Sequence, residues 1–424
     1  MKLDATSTQP RDITPPATHR LSMTTVLILA AASGLSVANI YYAQPLLDLI
    51  ARDLALPVAS TGLVVTLTQI GYALGLILAV PLGDLIDPRR VAVGQSMLSV
   101  VALVVVGTAQ TEHVLLAGML AVGFFAVIVQ VLVAFAATLS APNERGKAVG
   151  LVTSGIVIGI LAARFVSGVI ADLGGWRSVY LASAGMTLVM AITLFCVLPR
   201  HRPRHDGTSY LSVLRSIPAP FINDPVVRLR GILALLIFAA FSTLWTSLVL
   251  PLSVEPFELN HTQIGLFGLI GMAGATAAAS AGTLTDKGFG GRTTSVALAF
   301  LLASWGLIAL LPQSTLALVA GIVLLDFAVQ AVHVTNQSII FAIYPNARSR
   351  LVGGYMCFYS AGSAIGAIAS TATFATAGWR GVSLLGAGFS AMALMVWVLS
   401  LRRGSTRRAV TCLAVNPAPS TPSN

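Results

Sequence analysis

Long apolar runs, separated by short polar stretches, follow one another along almost the whole chain. Each run holds roughly 20 residues, enough for one α-helix to cross a hydrocarbon core of ~30 Å. The alternating segments of a membrane β-barrel are absent. The pattern predicts an all-α polytopic membrane protein with twelve transmembrane helices, near residues 23–48, 60–83, 91–109, 114–139, 147–171, 178–198, 230–252, 262–283, 294–312, 315–341, 350–375 and 381–401.

The chain also contains an internal duplication. PNERGKAVG at 142–150 returns as PNARSRLVG at 345–353, and GWRSVYLASAG at 175–185 returns as GWRGVSLLGAG at 378–388. We therefore expect two pseudo-symmetric six-helix bundles, 23–198 and 230–402, around a central path, which is how secondary transporters are built. The Pro-rich basic segment 199–229 is predicted to be a cytoplasmic linker. The polar tails 1–22 and 403–424 are predicted to be disordered and cytoplasmic.

Charge is scarce and unevenly placed. Only 9% of residues are charged and mean hydropathy is +0.87, whereas soluble domains carry about 25% charged residues. The net charge of +10 is explained by topology, because nearly all Lys and Arg fall in tails and loops on one side, as the positive-inside rule requires. The exceptions are Arg52, Arg177 and Arg380 on the other side and Arg164 within a span. No nucleic-acid partner is expected, and both termini are predicted to be cytoplasmic.

Motifs for catalysis are missing from the sequence. It has no phosphate-binding P-loop, no zinc-binding or paired-cysteine motif, and no nucleophile elbow. The three cysteines do not suggest a disulfide framework. The sequence therefore predicts neither an enzyme nor a metal site, and no cofactor is expected.

Two similar loops are candidate gates. GDLIDPRR at 83–90 lies between spans 2 and 3, and GTLTDKG at 282–288 lies at the same turn of the second half. A glycine there would let helices approach, and a carboxylate could meet a helix N-terminus and a basic partner. Alternatively, these charges only satisfy topology. The predicted cytoplasmic gate comprises Gly83, Asp87, Arg89, Arg90, Gly282 and Asp286, with Arg145 and Arg348 as partners of Asp87 and Asp286.

Gly-x-Leu-x-Asp followed by basic residues resembles the signature loop of the major facilitator superfamily. The resemblance covers about residues 20–402. NIYYAQPLL at 39–47, the PNERG loop and the GWR before spans 6 and 12 are similar to the bacterial twelve-span drug/proton antiporters and predicted sugar effluxers. The resemblance implies the major facilitator fold, a bacterial inner membrane and proton-coupled export. Span 4 here lacks the arginine that those antiporters use in coupling, and Ile160 replaces the proline after Gly155-x-x-x-Gly159.

Span 10 carries a polar stripe. Asp326, Gln330, His333 and Gln337 share one helix face, with Asn336 beside it. Charges at membrane depth are costly, so they are expected to be paired or functional. We predict that this stripe lines a central cavity and that Asp326 and His333 are candidates for proton coupling. The alternatives are a structural ion pair for Asp326 and a simple hydrogen-bonding role for His333.

The remaining candidates are spread over five spans. Arg164 could attract an anionic group or neutralise a carboxylate, although a structural role is an equal alternative. Trp245 could form a stacking wall or belong to the core. Amides facing lipid would be costly, so further cavity candidates are Asn39 and Gln44, together with Gln130, the repeat partner of His333. Close helix contacts where the halves rock are expected at Gly155, Gly159, Gly362 and Gly366.

These features together predict a proton-coupled secondary transporter that moves small organic molecules by alternating access, and the resemblance alone implies that it exports them. Its expected partners are a small-molecule substrate, protons and the lipid bilayer, and it is expected to act as a monomer. One alternative is a symporter or facilitator that imports a nutrient. Another is a receptor-like membrane protein that transports nothing.

Overall fold

The computed structural model describes residues 22–140, 144–199, 210–277, 279–344 and 348–402. The predicted tails, apart from Ser22, and residues 200–209 of the predicted linker lie outside the described residues. The structure also leaves out the side chains of residues 84, 85, 213, 275–277, 279, 280, 286 and 348–350.

Helices make up nearly all of the described chain. In chain order they are α1 (Met23–Tyr41), α2 (Leu47–Asp53), α3 (Gly62–Leu78), α4 (Leu82–Leu85), α5 (Pro88–Gly107), α6 (Glu112–Ala126), α7 (Ile128–Leu139), α8 (Arg145–Val197), α9 (Tyr210–Ser216), α10 (Ala219–Asn223), α11 (Pro225–Ser247), α12 (Val249–Leu252), α13 (His261–Ala277), α14 (Ala279–Leu284), α15 (Gly290–Ile308), α16 (Thr315–Ile343) and α17 (Arg348–Arg402).

Within the described residues, nine helical segments are long and apolar enough to cross a membrane. The two longest, α8 and α17, contain non-helical glycines, Gly175 with φ 79° and Gly378 with φ 58°. Each glycine adopts a left-handed conformation that other residues rarely accept, and each divides its helix into two crossings. With α13 and α14 as one further crossing, the arrangement agrees with twelve spans. The predicted all-α polytopic fold is confirmed.

Each half is held together by closely packed helix pairs. In the first half α1 packs against the first part of α8, and in the second half α11 packs against the first part of α17. An added Cβ at four glycines would overlap a backbone carbonyl of the partner helix. They are Gly155 and Gly159 on α8, facing Ala30 and Gly34, and Gly362 and Gly366 on α17, facing Leu235 and Ala239. The expected close helix contacts at these glycines are therefore present, but they lie inside each half rather than between the halves, which corrects the expected location.

Two faces of the protein follow from this chain path. The described chain begins at Ser22 and ends at Arg402, and α9 and α10 lie between the halves in sequence. Because each half contains an even number of crossings, all these points fall on one side, here called the linker face. The turns at Gly175 and Gly378 and the starts of α3 and α13 lie on the opposite face.

The contact between α1 and α8 can be tested at Gly159. We expect Gly159→Ala to destabilise the protein by about 1–3 kcal/mol, because the new methyl group would overlap the Gly34 backbone. The control is Gly185→Ala, a helical position where an added Cβ meets nothing within 4 Å. Thermal unfolding of both purified variants measures the effect. Equal melting temperatures would contradict the close contact.

Candidate functional site

The two halves meet along two pairs of helices. Near the opposite face α3 of the first half contacts α17 of the second half, where Thr66 donates to the Ala364 carbonyl at 3.0 Å and the Gly62 amide donates to Thr371 Oγ1 at 3.2 Å. The second pair is α8 with α13. There a Cβ on Gly265 would lie 2.6 Å from the Arg164 carbonyl oxygen. Backbone contact this close requires a small residue, so Gly265 allows α8 and α13 of the two halves to pack closely.

At the opposite face, three ionisable side chains join the halves. The opposite-face cluster consists of Asp48 and Asp172 from the first half and His261 from the second. His261 Nε2 lies 2.9 Å from Asp48 Oδ1, and Nδ1 lies 3.2 Å from Asp172 Oδ1. The Thr262 amide also donates to Asp172 Oδ2 at 2.8 Å. Because both ring nitrogens face carboxylates, the geometry suits an imidazolium that donates twice.

His261 and Asp172 stand just beyond the predicted spans 262–283 and 147–171. Burial alone would lower the pKa of His261, but the hydrogen bonds and charges of Asp48 and Asp172 outweigh burial and raise it above 6.5. Burial alone would raise the pKa of Asp172, but hydrogen bonds from Thr262 and His261 lower it below 3.8. Contact between the halves therefore favours the charged form of both groups.

Deeper in the protein, a second group joins the halves. The central cluster consists of Gln44 and Arg164 from the first half and Trp245 and Asp326 from the second. Arg164 Nε donates to Gln44 Oε1 at 3.0 Å, and its guanidinium carbon lies 4.0 Å from the centre of the Trp245 ring. Trp245 Nε1 donates to Asp326 Oδ1 at 3.2 Å. One indole therefore contacts a cation and an anion that come from different halves.

Both charges of the central cluster are sealed from solvent. The Arg164 and Asp326 residues are each only 2% exposed. Nη1 and Nη2 of Arg164 and Oδ2 of Asp326 have no hydrogen-bond partner within the described protein. No salt bridge joins the two residues there either. Buried polar atoms are nearly always bonded, so these three atoms are exceptional.

Two of the other polar candidates of span 10, His333 and Asn336, bond within their own half. His333 Nδ1 lies 3.0 Å from the Tyr355 hydroxyl, and its ring packs edge-on against Phe238. Asn336 accepts a hydrogen bond from Arg230 at 3.1 Å. Gln330 and Gln337 are half-buried. The predicted polar face therefore divides: Asp326 shares the Trp245 ring with Arg164 of the first half, whereas no hydrogen bond in the described chain joins His333 or Asn336 to the central cluster.

Two candidates of the first half are also engaged locally. Asn39 accepts a hydrogen bond from Ser183 at 2.6 Å, and Gln130 Nε2 donates to the Tyr72 hydroxyl at 3.4 Å. Neither bonds to a member of the central cluster. Gln44 is thus the amide of span 1 that the structure brings to Arg164.

Arg230 is a buried cation that the sequence analysis placed among the charges of the linker face. The structure buries it completely. It donates to Thr294 Oγ1 at 3.0 Å and to Asn336, and it stacks on Trp397 at 4.8 Å. In the sequence, the burial of Arg230 was indicated by its position as the first residue of a predicted span.

The gate loops are described in part. Asp87 caps α5 by accepting from the Arg89 amide at 3.0 Å, and Arg89 donates to the Phe195 carbonyl and stacks on that ring. Arg90 and Arg145 are exposed, whereas the side chains of Asp286 and Arg348 lie outside the described residues. Pairing between Asp87 and Arg145 therefore stays a prediction.

The gate glycines do not produce the expected close helix approach. An added Cβ would lie 3.7 Å from Val131 at Gly83 and 3.4 Å from Val334 at Gly282. Both distances are ordinary van der Waals contacts, so the expectation is corrected at these positions.

Comparison with known proteins agrees with this architecture. The family model described as Major Facilitator Superfamily matches residues 26–313 and 231–411. The chain belongs to the major facilitator superfamily. It is therefore a multi-pass membrane transporter by family.

Two relatives and one solved structure illustrate the similarity. The transporter YgaY of Escherichia coli K12 is 43% identical over 89% of this chain and 96% of its own length. A transporter of Streptomyces coelicolor is 29% identical over 84% of this chain and 82% of its own length. The crystal structure of the nucleoside transporter NupG superposes with a TM-score of 0.72 at 14% identity, covering 90% of this chain and 100% of that one. At that identity the superposition supports the fold alone.

The opposite-face cluster is expected to hold the two halves together on that side. Thr371→Cys, in a protein whose native cysteines are replaced by serine, places a thiol at a buried contact with Gly62. Adding His261→Asn should speed labelling from the opposite face by an impermeant thiol reagent about tenfold or more, because charge-assisted hydrogen bonds are lost. The control is His113→Asn, an exposed histidine.

Labelling of the Thr371→Cys protein should also depend on pH. Because contact raises the pKa of His261, its stabilisation of the closed face is complete at low pH and is lost as pH rises through that raised value. Labelling should therefore accelerate as pH rises above about 6.5 with His261 present, after correction for thiol ionisation. In His261→Asn, labelling should not show this pH-dependent acceleration. Identical pH profiles would refute a role for His261.

Proposed function

We propose that this protein is a proton-coupled secondary transporter that exports small organic molecules from a bacterial cell by alternating access. The supporting observation is the central cluster, in which Arg164 and Asp326 approach one indole from different halves and keep unpartnered polar atoms. A charge pair divided between moving bodies can be rearranged by their movement. In this proposal the linker face is cytoplasmic, the membrane is the inner membrane, and the monomer is the working unit.

The two clusters suggest how the protein could close at one face while it opens at the other. The opposite-face cluster closes the outer side in the conformation described above, and its contacts must break for the outer side to open. In the proposal, Asp326 gains a proton when the central cluster is reached from outside and loses it towards the cytoplasm. Each protonation step changes the net charge beside Arg164 and so biases the position of the halves.

His333 is the second coupling candidate, but its surroundings favour it less. It bonds to Tyr355 and packs on Phe238, all within the second half. Protonation of His333 would therefore act within one half, whereas protonation of Asp326 acts between halves. We assign proton coupling to Asp326 and leave His333 a hydrogen-bonding role.

Import remains the main alternative, since export rests on the resemblance to drug and sugar effluxers. An importer would accumulate the compound that an exporter extrudes, with the same central cluster. A receptor that transports nothing is less well supported, because it would have no need for unpartnered charges shared by two halves.

The test is a compound-panel susceptibility assay in an efflux-deficient bacterial host. Wild-type protein should protect against at least one class of compound, and Asp326→Asn should reduce protection to the level of the empty vector, because an amide cannot titrate. Asp53→Asn, the same change at an exposed carboxylate, and His333→Gln should retain protection. All variants are compared at matched expression.

Different outcomes separate the alternatives. Protection that survives Asp326→Asn would contradict coupling through Asp326. Increased sensitivity with wild-type protein would indicate import. If no compound changes susceptibility or accumulation, transport itself is refuted for the panel, and the receptor alternative gains support.

A further inference from the structure

We infer that the central cluster binds a zwitterion of the amino-acid class, a small molecule with a carboxylate and an ammonium group a few ångströms apart. The inference rests on the proposed transport function and adds the class of substrate. It follows from the hydrogen-bonding atoms that the cluster leaves unused and from the charges that it holds.

Arg164 supplies the site for the carboxylate. Its Nε is occupied by Gln44, while Nη1 and Nη2 are buried without a partner among the described residues. Leaving charged donors desolvated and unbonded is unfavourable. A guanidinium presents parallel N–H groups that match the two oxygens of a carboxylate. A substrate carboxylate would therefore satisfy both nitrogens at once.

Asp326 supplies the site for the ammonium. Its Oδ1 accepts from Trp245, while Oδ2 is buried against the backbone of Gly271 and has no donor there. An anionic acceptor in a dry environment favours a cationic donor over a neutral one. A substrate ammonium at Oδ2 would complete the hydrogen bonds of this carboxylate.

The two sites are close enough to be bridged by one small molecule. Arg164 stacks on the Trp245 ring and Asp326 bonds to the nitrogen of the same ring. The charges nevertheless form no salt bridge with each other. A molecule that bridges them would therefore need neighbouring charges, as on an α-amino acid, rather than charges at the ends of a long chain.

Aromatic rings surround the guanidinium and suit an apolar substrate body. The Arg164 guanidinium carbon lies 5.2 Å from the Tyr41 ring centre and 5.6 Å from that of Phe241, in addition to Trp245. A purely cationic substrate would leave Arg164 unpaired and repelled, and a purely anionic one would do the same to Asp326. While Asp326 is ionised, a molecule that carries both charges satisfies both residues.

A zwitterion also fits exchange with protons. The substrate ammonium and a proton would compete for Oδ2 of Asp326, since a protonated carboxyl group cannot accept from an ammonium in the same way. Binding one would favour release of the other. This competition is what a proton antiporter requires, and it needs no second titratable group.

The first experiment uses purified wild-type protein and measures thermal stabilisation by the common L-amino acids, tested one at a time. At least one with an apolar side chain should stabilise the protein. Its primary amide lacks the carboxylate and its N-acetyl derivative lacks the ammonium, so each should bind about tenfold or more weakly. Because the protein is unchanged, folding defects cannot produce this result.

The second experiment assigns each charge to a residue. Arg164→Lys keeps the cation but loses the paired N–H groups, and it should weaken binding of the amino acid while leaving weak binding of its amide unchanged. Asp326→Asn should weaken binding of the amino acid while leaving weak binding of its N-acetyl derivative unchanged. Asp53→Asn should bind as wild type does. Melting temperatures without ligand show that each variant is folded.

The inference is overturned if no amino acid stabilises the protein, or if the amide and N-acetyl derivatives bind as well as the parent. Failure of the proposed function is recognised separately, by transport assays in proteoliposomes. If an amino acid binds but is not transported with a proton gradient, the transport proposal fails and the site stands. If a compound without both charges is transported and Asp326→Asn abolishes its transport, the zwitterion inference fails and the transport proposal stands.

Discussion

The rest of the structure depends on the cost of holding charges inside an apolar protein in a membrane. Arg164 and Asp326 are both sealed from solvent, and each would be strongly unfavourable alone. Each comes from a different half, so the two approach each other only while the halves are closed around Trp245, and even then each keeps a polar atom without a partner in the described chain. Closing the protein therefore brings two incompletely bonded charges together, which makes this cluster a suitable place to couple ligand to movement.

Packing divides the molecule into bodies that can move. The contacts of Gly159 with α1 and Gly366 with α11 are backbone to backbone and lie within a half. Close backbone contacts also join the halves at Gly168 and Gly265, and beside them the opposite-face cluster contributes ionisable side chains whose bonds can break and form again. Rigid halves with a polar, reversible contact are what rocking motion requires.

The features that could be predicted from the sequence are those that depend on neighbouring residues or on the internal duplication. The apolar runs gave the spans, and the duplication correctly related two turns, since Gly175 and Gly378 both adopt positive φ. Arg164 and Asp326 were singled out because charge is rare at membrane depth. Their meeting at Trp245 was not predictable, because it depends on how three helices are rotated. His261 was missed because a histidine beside a loop has no distinguishing pattern, and its partners lie far away in sequence.

The duplication is broken where the charges lie. A shift of 203 residues relates Arg164 to Ala367 and Asp326 to Gly123, so each charge has a small, uncharged counterpart. A fully symmetric protein would present two arginines and two aspartates and offer a polar substrate two equivalent orientations. With one cation on the first half and one anion on the second, a molecule between the halves has a single favourable orientation. The duplication thus provides two similar halves that can move against each other. The difference between the halves at these two positions gives the central cluster one cationic and one anionic side.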